Sequence, residues 1–173
     1  MDFLNPEKIL NQLELHDDMM AADFGSGSGG WAIPLAKRLK MGRVYAVDIQ
    51  PEALEALKSK AETAKVFNVK TVKADLEEGA GSSIQTGLLD LVLATNLFFQ
   101  AKNKKVILEE AKRVLKTNGQ FLVVDWQPET SLGPVEGRVS APEIQTLAES
   151  LGFKLEKQIE AGQYHWALLL REI

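Results

Sequence analysis

Short apolar runs that end in a polar or acidic residue alternate along this chain with stretches whose apolar positions recur every three or four residues. Met19 to Phe24, Val44 to Asp48 and Val69 to Ala74 are the first three runs, and each begins 25 residues after the last. That interval holds one strand, one crossover helix and two loops, so the pattern predicts βαβ units and a parallel sheet. Leu88 to Ala94 and Phe121 to Trp126 continue the strand series. Between the strands, Pro51 sits where a first-turn proline is tolerated, and Leu54, Leu57, Ala61 and Ala64 follow as one helical stripe. Ile107, Ala111, Val114 and Leu115 form another stripe between Lys104 and Lys116, with Gly119 placed to end it as a left-handed cap. Ser140-Ala141-Pro142-Glu143 is a capping-box pattern ahead of Ile144, Leu147, Ala148 and Leu151, and Gly152 stands at the stop.

Phe153 to Ile159 and Tyr164 to Leu170 are separated only by Glu160-Ala161-Gly162-Gln163. So short a link makes a hairpin, and the last strand therefore runs antiparallel. Glu77 to Gly87 and Gln127 to Val139 carry the Gly, Ser and Pro content of loops. The second of these leaves the carboxyl end of a strand, and its length and composition predict a loop that closes over a bound molecule.

A chain of 173 residues with 45% apolar and 25% charged content fits one domain, residues 1–173, read as an N-terminal helix and connection over 1–18 and an α/β core over 19–173. The net charge of -4 argues against a surface built to hold nucleic acid. Cysteine is absent, which removes disulfides, thiolate nucleophiles and Cys-based zinc sites, and two histidines, His16 and His165, are too few for a metal cluster. Met1 to Leu15 offers neither a secretory h-region nor a membrane-spanning run, so the expected location is the cytosol.

In open α/β sheets ligands bind beyond the carboxyl ends of the strands, and acids recur there in this sequence. Asp23 precedes the turn Phe24-Gly25-Ser26-Gly27-Ser28-Gly29-Gly30, whose glycines admit close approach of a ligand and whose amides open the next helix. Asp48 closes the second strand as an acceptor for vicinal ribose hydroxyls, and Asp75, after the third, can accept from an exocyclic amine. Gly25, Gly27 and Gly30 also satisfy the dinucleotide fingerprint, which makes an NAD-dependent oxidoreductase the rival reading. Asp23 weighs against that rival: a carboxylate suits an ammonium group and repels a pyrophosphate. The chain also lacks a second domain for hydride-transfer chemistry.

Asp23 to Gly29 resembles the first motif of the class I S-adenosylmethionine-dependent methyltransferases, particularly the small-molecule branch that includes ubiquinone and menaquinone biosynthesis enzymes. Val47-Asp48-Ile49 is similar to that family's second-strand acid, Ala74-Asp75-Leu76 to its adenine-contacting segment, and Leu91 to Asn96 to its fourth-strand motif. The resemblance continues through Ala111 to Gly119 and weakens beyond Trp126. It implies a Rossmann-like seven-stranded sheet in the order 3-2-1-4-5-7-6, helices on both faces, and S-adenosyl-L-methionine as cofactor. Cofactor contacts would then come from Asp23, Phe24, Gly25, Ser26, Gly27, Gly29, Asp48, Ile49, Ala74, Asp75, Leu76 and Asn96. Arsenite methyltransferases rely on cysteines and adenine N6 methyltransferases carry a proline pair after strand four; here Asn96 is followed by Leu97-Phe98-Phe99.

The acceptor side is less marked. Phe98, Phe99, Trp126, Leu132, Tyr164 and Trp166 cluster at the expected carboxyl edge, which suits a small, partly apolar acceptor and equally suits sealing of the core. His165 is the one group there able to take a proton near neutral pH, as a catalytic base or as a histidine held beneath the loops. Lys102, Lys104, Lys105, Lys112, Arg113 and Lys116 make a basic helix diluted by Glu109 and Glu110, read as a solvated face. Methyl transfer to a small molecule is the leading expectation. Methyl transfer to protein or RNA, and a non-enzymatic nucleotide-binding module, stand as alternatives.

Overall fold

Near-continuous apolar strands need cover on both faces, and in the computed structural model, which describes residues 3–173, helices supply it from both sides. The elements in chain order are α1 (Pro6–Leu10), β1 (Met20–Phe24), α2 (Ala32–Arg38), β2 (Arg43–Asp48), α3 (Pro51–Thr63), β3 (Val69–Lys73), β4 (Leu89–Thr95), α4 (Lys104–Val114), β5 (Leu115–Trp126), α5 (Ala141–Ser150), β6 (Phe153–Ile159) and β7 (His165–Glu172). One seven-stranded sheet has the order β3-β2-β1-β4-β5-β7-β6, as the resemblance implies. β7 runs antiparallel to both β5 and β6, and the other pairings are parallel.

Side chains alternate between the two faces of a strand, and the core divides accordingly. Ala22, Phe24, Val92, Ala94, Phe121, Val123, Leu168 and Leu170 pack with α4 and α5. Ala21, Leu91, Leu93, Leu122, Val124, Ala167 and Leu169 pack with α1, α2 and α3. The same alternation sends Asp23, Thr95, Trp126 and His165 to the α1–α3 face, while Asp125 projects to the α4–α5 face.

The predicted capping box is present at α5: the Glu143 N–H donates to Ser140 Oγ at 3.3 Å, and the Ser140 N–H donates to Glu143 Oε2 at 2.9 Å. Two readings of the α4 region are corrected. Gly119 caps nothing, because α4 ends at Val114 and the chain passes directly into β5 at Leu115; the left-handed residue nearby is Asn118, at φ 65°. Nor is Glu110 solvated. It is buried, accepts from Ser82 Oγ, and pairs with Arg113 at 2.7 Å, so the 3.6-residue period turns this one acid inward.

Candidate active site

The glycine turn is shaped by its own backbone and by Asp48. Gly25, Gly27 and Gly29 have φ of 72°, 52° and 95°, a region that side chains with a Cβ avoid. At Gly29 a Cβ would also come within 2.9 Å of both Ile33 and Leu57. The Gly25 and Ser26 N–H groups donate to Val47 O, and the Gly27 N–H donates to Asp48 Oδ2 at 2.8 Å. Asp48 Oδ1 accepts from the Gln50 N–H, so the half-buried carboxylate bridges the turn and the start of α3.

Asp23 lies at the end of β1, 1% exposed, and neither of its oxygens has a hydrogen-bond partner among the described residues. Burial pushes its carboxyl pKa up to about 8; the nearby Ala32 N–H opposes the rise without reaching full hydrogen-bond geometry, and the Asp48 charge adds to it. A buried carboxylate without partners is costly, and a cation placed beside it would relieve that cost. Asn96 leaves β4 in the left-handed region at φ 51°, its N–H held by Val124 O and its buried Oδ1 without a partner among the described residues. Asp75, half-buried, accepts from the Glu77 N–H through Oδ1. Ile49 is 55% exposed beside Asp48, whereas Leu76 is packed into the core. An ammonium for Asp23, a diol for Asp48 and an amine for Asp75 match the polar groups of S-adenosyl-L-methionine.

The acceptor-side residues separate into two sets. Phe98 is fully buried against Phe121, at 6.5 Å between ring centroids, and Trp166 is buried with its indole N–H on Val139 O. Both seal the core, so Phe98, expected to line the pocket, is instead packed within the core. Phe99, Trp126 and Tyr164 are half-buried at the edge, and Phe3 lies over Tyr164 at 6.1 Å. Across the β5–β7 pair Trp126 faces His165, ring centroids 4.1 Å apart and tilted by 37°. His165 is 3% exposed, neither ring nitrogen has a partner among the described residues, and burial lowers its pKa to about 4. At neutral pH it is therefore an uncharged imidazole.

Asp125 is a residue that the sequence pattern hides, because it reads as one position inside an apolar strand. It is wholly buried; Oδ2 accepts from the N–H groups of Phe98 (2.9 Å) and Phe99 (3.2 Å), and Oδ1 from that of Trp126 (2.8 Å). Burial raises its pKa to about 6 despite those three donors and the charge of Lys104. The only available signal was an acid in a strand otherwise free of charge from Phe121 to Trp126.

No cluster of three metal-ligating side chains occurs among the described residues, and no helix there is long and apolar enough to cross a membrane. A groove of about 840 Å³ lies along α5, lined by Lys104 and Ser150 and, from the segment after β5, by Gly137, Arg138 and Val139.

Residues 15–166 match the methyltransferase domain family. A solved S-adenosylmethionine-dependent methyltransferase from Aquifex aeolicus superposes with a TM-score of 0.89 at 26% identity, covering 99% of this chain and 91% of that one. The ribosomal protein L11 methyltransferase of Dictyoglomus turgidum is 34% identical over 112 residues, 65% of this chain and 34% of the relative. The demethylmenaquinone methyltransferase of Staphylococcus aureus is 28% identical over 120 residues, 69% of this chain and 48% of the relative. The matches thus span about a third to a half of these curated relatives. With its strand order and glycine turn, the chain belongs to the methyltransferase domain family and has the class I fold, whose cofactor is S-adenosyl-L-methionine.

Proposed function

We propose that this protein, as a single domain, transfers a methyl group from S-adenosyl-L-methionine to a small-molecule acceptor at the carboxyl edge of β1, β4 and β5, where the antiparallel β7 begins. The observation that carries the reading is Asp23: a buried carboxyl group, without a hydrogen-bond partner among the described residues and beside a glycine turn, is a receptor for an organic cation. Asp23 would hold the ammonium, Asp48 the ribose, Asp75 the adenine amine, and Asn96 would face the chemistry from the end of β4. Bound there, the sulfonium supplies an electrophilic methyl group. The chain's own part is to orient the acceptor and exclude water, which suits a reaction that disperses charge in its transition state. Phe99, Trp126 and Tyr164 offer an apolar, aromatic wall, and the neutral imidazole of His165 can accept a proton from an acceptor O–H or N–H.

The names of the relatives specify a ribosomal protein in one case and demethylmenaquinone in the other, so the acceptor class is the point to test. Calorimetry with S-adenosylhomocysteine and with NAD comes first, and binding of the former alone is expected. Labelled methyl from S-adenosylmethionine is then offered to pools of small phenols, quinols and amines and, separately, to cell protein and RNA. Label in the small-molecule pool is the expected result. Label only in protein or RNA would overturn the acceptor assignment, and binding of NAD without S-adenosylhomocysteine would overturn the activity.

A further inference from the structure

The segment after β5, residues 127–139, has the length and the Pro and Gly content of a mobile lid, but its hydrogen bonding is that of a fixed object. Arg138 donates from Nε to Pro134 O (2.5 Å), from Nη1 to Pro128 O (3.0 Å) and Thr130 O (2.6 Å), and from Nη2 to Leu132 O (3.0 Å). The carbonyls of alternate residues therefore curl around one guanidinium. The two ends of the segment are tied to the start of β7 and the residue before it: the Gln127 N–H donates to Tyr164 O at 2.8 Å, and Val139 O accepts the Trp166 indole N–H at 2.9 Å.

The wrapped segment presses on the two edge aromatics. At Gly133, φ 87°, a Cβ would come within 2.5 Å of the Trp126 ring, and at Gly137, φ 76°, within 2.0 Å of Phe99 O. Only glycine backbone lies that close, so segment, ring and carbonyl form one packed unit. Asp125 completes it from behind by holding the N–H groups of Phe98, Phe99 and Trp126.

We propose that Arg138 is a positioning residue that keeps 127–139 as a preformed wall of the acceptor site, and through that wall sets Trp126 and Phe99. Calling the wall acceptor-facing rests on the methyltransferase reading; its rigidity does not. A guanidinium is suited to the task because it presents five N–H donors in a planar fork, whereas an ammonium has three on a compact centre and cannot span the same ring of carbonyls.

Amide exchange followed by NMR and ¹⁹F NMR of protein labelled with 5-fluorotryptophan test this on the full chain. In the wild type, the hydrogen-bonded amides of Gln127, Thr130, Leu132, Phe98 and Phe99 should exchange slowly, to the same extent with and without S-adenosylhomocysteine. Arg138→Ala should speed them by about tenfold or more and shift the Trp126 resonance, assigned through Trp126→Phe. Millimolar guanidinium should restore both signals in Arg138→Ala, and Arg138→Lys should behave as Arg138→Ala. S-adenosylhomocysteine affinity should stay within about threefold throughout, since the cofactor residues lie on other loops. Should Arg138→Ala fail to fold, Gly137→Ala displaces the wall from its other end, and faster exchange at Phe98 and Phe99 is again expected. Two results would overturn the proposal: wild-type amides of Gln127, Thr130 and Leu132 protected only when ligand is present, or an Arg138→Ala variant with unchanged Trp126 resonance and Phe98 and Phe99 exchange. Wild-type protein that binds no S-adenosylhomocysteine yet keeps the slow exchange would overturn the methyltransferase reading and leave the wall standing.

Discussion

Asp48 and Gly27 are joined across the site: the acid that ends β2 accepts the Gly27 N–H at 2.8 Å and so fixes the glycine turn that follows β1. With the Gln50 N–H on its other oxygen, Asp48 shapes the glycine turn that the proposed cofactor site is built on, as well as offering it a charge. Asp48→Ala should therefore weaken S-adenosylhomocysteine binding by about 1–3 kcal/mol, the order for charged hydrogen bonds, and loosen the turn. Titration calorimetry reads the first effect and amide exchange at Gly27 the second. An unchanged dissociation constant would remove Asp48 from the cofactor site.

On the proposed reading, in which Asp23 receives the cofactor's ammonium, cofactor binding is a proton-linked event. The native Asp23 pKa of about 8 leaves the free protein protonated there at neutral pH, while an ammonium alongside favours the carboxylate. Ligand binding near pH 7 should thus release about one proton. Binding enthalpies in phosphate and in Tris buffer measure the release directly. Asp23→Asn should abolish it and weaken binding. For stability the sign is opposite to that of an ordinary acid: between the unfolded pKa of 3.8 and about 8 the native state holds the extra proton, so Asp23's contribution is full below that window and erodes as pH rises through it. Enthalpies that are the same in both buffers would contradict the assignment.

Much of the fold was legible because each strand is an apolar run closed by a polar residue, and because the four-residue link at 160–163 allows only a hairpin. β6 was bounded correctly at both ends, and β7 begins at His165, one residue after the expected Tyr164. Gly119 misled for a physical reason. A left-handed cap is one way to end a helix, but after Val114 the chain extends at once into β5 and needs none. Asp23, Asp48 and Asp75 could be singled out as candidates because they sit at or just past strand ends, where the pattern changes. Asp125 could not, since its three backbone donors come from residues 98, 99 and 126 and exist only after β4 and β5 are paired. Arg138 was hidden likewise, its partners being carbonyls, which every residue has.

The buried pair under α4 should show in stability alone. Glu110, 2% exposed, is held below the usual carboxylate range: the hydrogen bonds and charge of Arg113, with the bonds from Ser82, outweigh the burial that opposes them. Removing the cation in Arg113→Ala would strand that carboxylate and should cost about 3 kcal/mol, read by urea denaturation. Because the native pKa is depressed, the pair's contribution is present above the unfolded value of 4.5 and is lost as pH falls below it. A loss under about 0.5 kcal/mol would mean that Glu110 finds water or another donor when Arg113 is gone.

His165 separates two accounts of the chemistry. Its imidazole lies against Trp126 at 4.1 Å, on the same sheet face as Asp23, with both nitrogens partnerless among the described residues. Burial lowers the pKa to about 4, so a base built on it would act as the neutral form across the neutral range and fail only in acid. His165→Gln should lower turnover by about 10²-fold while leaving S-adenosylhomocysteine affinity nearly unchanged, and the wild-type pH profile should lose activity near pH 4 rather than near 6.5. The same shift acts on stability. Between about 4 and 6.5 the unfolded chain binds a proton that the native chain refuses, so the wild type should weaken as pH falls through that window and the variant should not. These readouts are independent. A variant that keeps full turnover but loses the acid dependence of its unfolding would make His165 a buried structural group, and methyl transfer would then depend on positioning alone.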